Sequence, residues 1–321
     1  MDKPKIALMF PGQGAQYSGM GRSLYDHSAA AREVFDMAES MRPGTIVQCF
    51  SGGDDELAKT ENTQPCLYCA DLAAASALKE AGVEADILAG FSLGELAALA
   101  FSGAISFSSG FSLVCRRAGF MQKSAESSDA CMVAVLKLSG ETLMEICSRF
   151  VNIHPVNYNC PGQVVVACAK DELECFIARV KESGGRALSL KTGGGFHSPF
   201  MAEASNSFAG ALDDYEIGRP EIPVYSNVTA DVYDGNFKEL IAKQICTPVL
   251  WEDEVRQMLT CGADTFIEAG PGKTLCGFVK RITDTARVLN VEDYESLVST
   301  VEELRNQRFQ TDKSAASPQL T

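Results

Sequence analysis

The sequence predicts an α/β protein whose largely parallel sheet is interrupted by a smaller inserted unit. Two observations carry this reading. In the first, short apolar runs are each followed by a glycine turn and a longer helical pattern: "IALMF" before "PGQGAQ", "ADILAG" before "FSLGELAALAFSGAI", and "ADTFIEAG" before "PGKTLCGFVKRI". Strand, turn and helix in repetition give parallel strands joined by helical crossovers, and ligands gather at the carboxyl ends of such strands. In the second, residues 129 to 195 break the rhythm. There "ACMVAVLKL" reads as a strand, "GETLMEICSRF" as a helix, "VNIHPVNYN" and "GQVVVACA" as a strand pair, "ELECFIARVKESG" as a helix and "RALSLKTG" as a strand. That βαββαβ order fits a ferredoxin-like insert. The large unit is therefore expected over 1–128 and 196–300, resuming through "IPVYSNVTA" and "DTFIEAG", and the insert over 129–195. The closing stretch "RNQRFQTDKSAASPQLT" is polar and small, so a frayed tail is expected over 301–321.

Composition narrows the function classes. At 321 residues and 46% hydrophobic content the chain can bury a sizeable core. Acidic side chains number 42 against 28 basic ones, a formal charge of -14 that argues against nucleic acid or an anionic membrane as partner. No apolar run reaches the ~18 residues of a membrane helix, and "MDKPKIALMFPGQG" holds too short an apolar core for a signal peptide. A cytoplasmic protein is expected. The 12 cysteines are scattered in apolar contexts such as "SLVCRRAGF" and read as reduced core residues. Cys66 and Cys69 form the one close pair, and with no second pair or histidine nearby, helix packing accounts for them better than metal or redox chemistry.

The stretch "LAGFSLGELAAL" places Ser92 in a G-x-S-x-G pattern between a predicted strand and a predicted helix. There a sharp turn can hold a nucleophilic hydroxyl above the sheet, although a structural serine turn fits the same pattern. A serine nucleophile needs a base, and the chain has three histidines. His27, in "SLYDHSAAAREV", fits a cap or surface role, and His154, before a proline in the insert, fits a loop. His197 follows three glycines in "KTGGGFHSPFM", where the backbone can pass close to another element, and it is the candidate base.

Three further motifs bear on chemistry. "FPGQGAQ" fails the dinucleotide fingerprint because Tyr17 stands where its third glycine would be. Its Gln13, set between glycines at a strand end, can instead offer a backbone N–H as one oxyanion donor, with that of Leu93 as the other; a plain tight turn is the alternative. "EAGPGKTL" fails the phosphate-loop pattern, whose first glycine would fall at Ile267. In "LVCRRAGFMQ", Arg116 and Arg117 point about 100° apart on a helix, so at most one follows the buried face. That one either snorkels or grips a carboxylate with its guanidinium fork.

"FPGQGAQYSGMG", "GFSLGELAALAFSGAIS", "RRAGFMQ", "NYNCPGQVVVA", "FHSPFM" and "EAGPGKTLCGFVKR" occur in the order found in malonyl-CoA:acyl carrier protein transacylases, which the chain resembles from about residue 5 to about residue 290. The resemblance implies an α/β-hydrolase-like large subdomain with a ferredoxin-like insert. It implies that Ser92 carries the acyl group as an ester and that His197 is its base. It implies that Arg117 pairs with the free carboxylate of malonyl, that the N–H groups of Gln13 and Leu93 form the oxyanion hole, and that Asn159 lines the acyl pocket. The histidine would be oriented by a main-chain carbonyl of "PVLW", which implicates Leu250. One departure is Phe91, where the family commonly has histidine; Leu93 and "GGFH" resemble the malonyl-selective pattern.

The activity so implied moves malonyl from malonyl-CoA to the phosphopantetheine thiol of acyl carrier protein, for fatty-acid synthesis, through a Ser92 ester. No metal and no other cofactor is expected, and the chain is expected to act as a monomer. A stand-alone polyketide acyltransferase would differ in partner, and a serine thioesterase or hydrolase in acceptor. A local basic patch drawn from Arg116, Lys123, Arg186, Lys191, Lys273, Lys280 and Arg281 is expected to meet an acidic carrier protein.

Overall fold

A computed structural model describes residues 4–190 and 193–315, and over 307–315 only the helical backbone. Its strands are β1 (Ile6–Phe10), β2 (Ile87–Gly90), β3 (Ala130–Leu136), β4 (Ile153–Cys160), β5 (Gln163–Ala169), β6 (Arg186–Ser189), β7 (Thr265–Ala269) and β8 (Arg287–Val291). They form a parallel sheet in the order β2-β1-β7-β8 and an antiparallel sheet in the order β4-β5-β3-β6.

The central strand β1 is buried along its whole length, as expected of a parallel strand covered on both faces. Ile6, Leu8 and Phe10 face a core with Leu24, Phe35, Leu67 and Leu96, while Ala7 and Met9 face one with Trp251, Phe266 and Phe278. This alternation is the period of two that a strand imposes, and each large side chain so buried contributes roughly 1.5–3 kcal/mol. Helix Thr60–Glu80 crosses the first core, and Cys66 and Cys69 pack within it as free thiols. "IPVYSNVTA" contributes only bridges, Val224 to Leu88 and Tyr225 to Val232.

The antiparallel sheet lies wholly between Ala130 and Ser189, with helices Gly140–Cys147 and Leu173–Glu182 packed on Val133, Val135, Val164 and Val166. A backbone splice joins it to the large unit: Val249 N donates to Val156 O at 2.8 Å, and Tyr158 N donates to Val249 O at 2.9 Å. This splice brings β4 to the carboxyl end of the parallel sheet.

Two expectations are corrected. Helix Tyr294–Ala315 runs through most of the stretch expected to fray, because Leu297, Val301 and Leu304, spaced for one helical face, are buried against the core. Residues 316–321 lie outside the described residues. His154 sits within β4 beside the Phe200 ring, at 5.8 Å between centroids, and not in a loop.

Candidate active site

The turn after β2 is built by contact between backbones. A Cβ on Gly90 would collide with the backbone of Gly94, and one on Gly94 with the carbonyl of Phe10. Glycine at both positions lets helix Leu93–Phe101 start directly above the end of β1. Ser92 between them adopts φ 54° and ψ −102°, a strained conformation costing roughly 1–3 kcal/mol. Three bonds hold it: Ser92 N donates to Asn227 Oδ1 at 2.8 Å, Gln244 Nε2 donates to Ser92 O at 2.7 Å, and Asn227 Nδ2 donates to Gly90 O at 2.7 Å.

Ser92 Oγ lies 2.7 Å from His197 Nε2. His197, also at positive φ, is buried, and its Nδ1 meets the main-chain carbonyl of Gln244 at 2.8 Å. A carbonyl only accepts, so Nδ1 carries the proton and Nε2 is left to accept from the serine. Burial and then the Arg117 charge bring the pKa of His197 down to about 4, which keeps the ring neutral near pH 7.

The orienting carbonyl corrects the expectation for Leu250. Leu250 N donates to Asn227 O at 3.0 Å and its carbonyl accepts from Glu254 N at 3.0 Å, opening helix Trp251–Thr260. Gln244 instead ends helix Phe237–Gln244, where the last carbonyls have no intrahelical partner and one is free for the histidine.

Of the adjacent arginines, Arg116 turns to Asp214 at the surface and Arg117 is buried, 1% exposed. Arg117 Nη1 donates to Gln64 Oε1 at 2.8 Å, and Nη2 to Gln244 Oε1 at 2.7 Å and Ser92 Oγ at 3.4 Å. Its Nε has no partner, and among the described residues no carboxylate forms an ion pair with it. Burial lowers its pKa to about 10, so it stays cationic at neutral pH. Behind it, Glu95 accepts from Asn227 N at 2.8 Å, Gln244 Nε2 at 3.2 Å and the Tyr233 hydroxyl. Burial raises Glu95 to about 7 despite those bonds.

Two neighbouring chambers that share part of their lining lie at this cluster. The inner one, about 80 Å³, is lined by Ser92, Leu93, His197, Gln64, Met121 and Phe196 among others. The outer one, about 230 Å³, adds Gly12, Asn159, Gln163, Thr274 and Phe278. Gln13, Phe91, Asn157 and Leu190 line both. Leu93 opens its helix, where a backbone N–H lacks an intrahelical acceptor. Gln13 Nε2 donates to Thr60 Oγ1 at 3.3 Å. Phe91 packs its ring 5.7 Å from Trp251 and 6.3 Å from Phe278. Asn159, expected at the acyl pocket, lines only the outer chamber; the residue reaching the inner one is Asn157.

Gln13, the adjacent Ser92 and Leu93, Arg117 and His197 thus converge from four separate stretches of chain. Sequence reading passed over Gln64, Asn227, Gln244 and Asn157, which sit in unremarkable polar contexts; only Glu95, beside the serine motif, carried a local signal. Among the described residues no cluster of three or more His, Cys, Asp or Glu side chains could hold a metal ion, and no helix is long and apolar enough to cross a membrane.

Of the seven basic candidates, Arg116 pairs with Asp214 at 2.6 Å, Lys123 with Glu203 at 4.0 Å and Lys273 with Glu292 at 3.7 Å. Arg281 donates to Gln163 Oε1 at 2.7 Å beside the outer chamber. Lys191 lies outside the described residues.

Comparison with known proteins gives one consistent result. The acyl transferase domain profile matches residues 8–318. A malonyl CoA-acyl carrier protein transacylase of Bacillus subtilis is 35% identical over 311 residues, covering 94% of this chain and 98% of that protein. A crystal structure of the protein of that name from Clostridium perfringens superposes with a TM-score of 0.93 at 38% identity, covering 96% of this chain and 99% of that one. A malonyl-transacylase solved in complex with its type II PKS acyl-carrier protein superposes with a TM-score of 0.89 at 31% identity, covering 93% and 99%.

Proposed function

The chain belongs to the acyl transferase domain family, and from that membership we propose that it moves malonyl from malonyl-CoA to the phosphopantetheine thiol of acyl carrier protein, supplying fatty-acid synthesis. The observation that carries the choice of malonyl is Arg117: a buried guanidinium held by two neutral glutamine oxygens, with an unused Nε, is a cation waiting for an anionic substrate. A plain esterase would have no use for it.

In the first half-reaction His197 Nε2 takes the Ser92 proton as Oγ attacks the thioester carbonyl. The oxyanion is held by the N–H groups of Gln13 and Leu93, each donor of this kind being worth about 100- to 1,000-fold in rate. Collapse breaks the C–S bond, the His197 proton goes to the departing thiolate, and malonyl remains as an ester on Ser92. In the second half the carrier thiol gives its proton to His197, attacks the ester and releases Ser92 by the reverse path. The 2.7 Å Ser92–His197 contact and the lowered pKa of the imidazole support these roles. The reaction calls on no metal or redox cofactor, and we assign the protein to the cytoplasm as a monomer.

Intact mass after incubation with malonyl-CoA, acetyl-CoA or methylmalonyl-CoA tests the reading. A malonyl adduct is expected on the wild type and none on Ser92→Ala. Coenzyme A release without acceptor and without adduct would move the protein to the hydrolases.

A further inference from the structure

Arg117, Gln244 and Glu95 form a buried line of cation, amide and carboxylate. Arg117 Nη2 donates to Gln244 Oε1 at 2.7 Å, and Gln244 Nε2 donates to Glu95 Oε2 at 3.2 Å. The three residues are 1%, 3% and 1% exposed, so solvent screens the charges at the two ends very little. Glu95 is furnished to hold a negative charge there: Asn227 N also donates to Oε2, at 2.8 Å, and the Tyr233 hydroxyl donates to Oε1. Glu254, the other buried acid of this cluster, has one donor, Asn227 Nδ2 at 2.9 Å, and a second oxygen without a partner. Burial, and then Glu95, push its carboxyl well above the usual range and keep it neutral, which leaves Glu95 as the acid able to balance Arg117.

One buried cation does not balance two carboxylates in the same site; their mutual repulsion makes one of them take up a proton. Resting on the acyl-transfer reading, we propose that Glu95 is a specificity-determining residue whose charge competes with the substrate's: its carboxylate balances Arg117 in the free enzyme and binds a proton from solvent when the malonyl carboxylate reaches Arg117. Burial brings Glu95 up to about 7 in the free enzyme, so its charge changes across the neutral range. The charged and titratable groups around it do not change there. Arg117 stays cationic below about 10, burial and then Glu95 hold the Tyr233 hydroxyl well above its ordinary value, Glu254 stays neutral, and His197, which faces Arg117, is neutral above about 4. The sign follows. Below about pH 7 Glu95 already holds its proton and malonyl meets an uncompensated cation; above it the free enzyme has lost that proton, binding must recover it, and malonyl is held less tightly as pH rises. Acetyl brings no carboxylate and makes no such demand.

The test follows initial rates of Ser92 acylation by malonyl-CoA and by acetyl-CoA, each below saturation, from about pH 6 to about pH 8, and takes their ratio. Titration of coenzyme A and of the Ser92–His197 pair acts on both donors and cancels. In the wild type the ratio of malonyl to acetyl should fall about fivefold over this range; a group titrating near 7 and fully protonated in the complex sets a ceiling of about tenfold. Glu95→Gln keeps an oxygen for Asn227 and Gln244 and offers its NH2 to the Tyr233 hydroxyl, while removing the charge. Its ratio should be flat, within about twofold of wild type at about pH 6 and about fivefold above it at about pH 8. Tyr233→Phe takes a donor from the ionised carboxylate and moves its titration up by about one pH unit, so the fall over the same range should shrink to about twofold. That variant carries the test should Glu95→Gln fail to fold. A flat wild-type ratio, a Glu95→Gln ratio that falls as the wild type's does, or a Tyr233→Phe profile identical to wild type would overturn the proposal. Absence of any malonyl adduct on the wild type would instead sink the acyl-transfer reading, whereas an adduct with a flat ratio sinks this inference alone.

Discussion

Gln244 holds His197 by its main-chain carbonyl, at 2.8 Å from Nδ1, while its side-chain oxygen holds Arg117 at 2.7 Å. One residue therefore positions both the base and the cation. Gln244→Ala keeps the carbonyl and removes the amide. The KM for malonyl-CoA should rise by about 10-fold or more, the scale of a hydrogen bond to a charged group. Loss confined to kcat, with KM unchanged, would mean that the amide serves the serine and not the arginine.

Arg117→Ala removes the buried cation. Breaking a buried charge pair costs about 3–5 kcal/mol, so malonyl transfer should fall by more than about 100-fold while acetyl transfer holds or rises. Competition between the two acyl donors, read by adduct mass, checks this; an enzyme still preferring malonyl would refute the assignment.

His197 is depressed to about 4 by burial and by Arg117. An imidazole of ordinary pKa near 6.5 charges as pH falls through that value, and a depressed one does not. The His197 signal in an NMR titration should stay flat from about pH 8 to about pH 5.5. A midpoint near 6.5 would contradict the buried, neutral base.

Asp71 is 0% exposed in helix Thr60–Glu80, with neither carboxylate oxygen partnered. Burial, and then Glu268, push its pKa well above the usual carboxylate value, so the native state keeps a proton that the unfolded chain releases. Its contribution to stability is full below the ordinary pKa and is lost as pH rises toward the folded one. Asp71→Asn should therefore raise stability near pH 7.5 and change it little near pH 4. Thermal melts at the two pH values check this; an equal gain at both would sink the explanation.

Much of this molecule was legible in the sequence. The strand, turn and helix rhythm and the βαββαβ insert depend on local periodicity and glycine placement, which a sequence displays directly. The same holds for Ser92, whose turn is written in its flanking glycines, and for His197, singled out among three histidines by the glycines before it. The tail was misjudged because Leu297, Val301 and Leu304 are sparse anchors in a polar stretch, and only a core on the other side makes them a helix face.

By itself, then, the sequence determined the α/β class, the serine turn and the choice of His197 as the candidate base, since each rests on neighbours within a few residues. Only the tertiary structure decided that Gln244 and not Leu250 orients His197, that Gln64 and Gln244 hold Arg117, and that Asn157 reaches the serine chamber. Those contacts join residues 47, 53 and 127 positions apart. A helix end and a strand edge acquire their partners only when the two sheets are spliced together, and no local pattern encodes where that splice aims them.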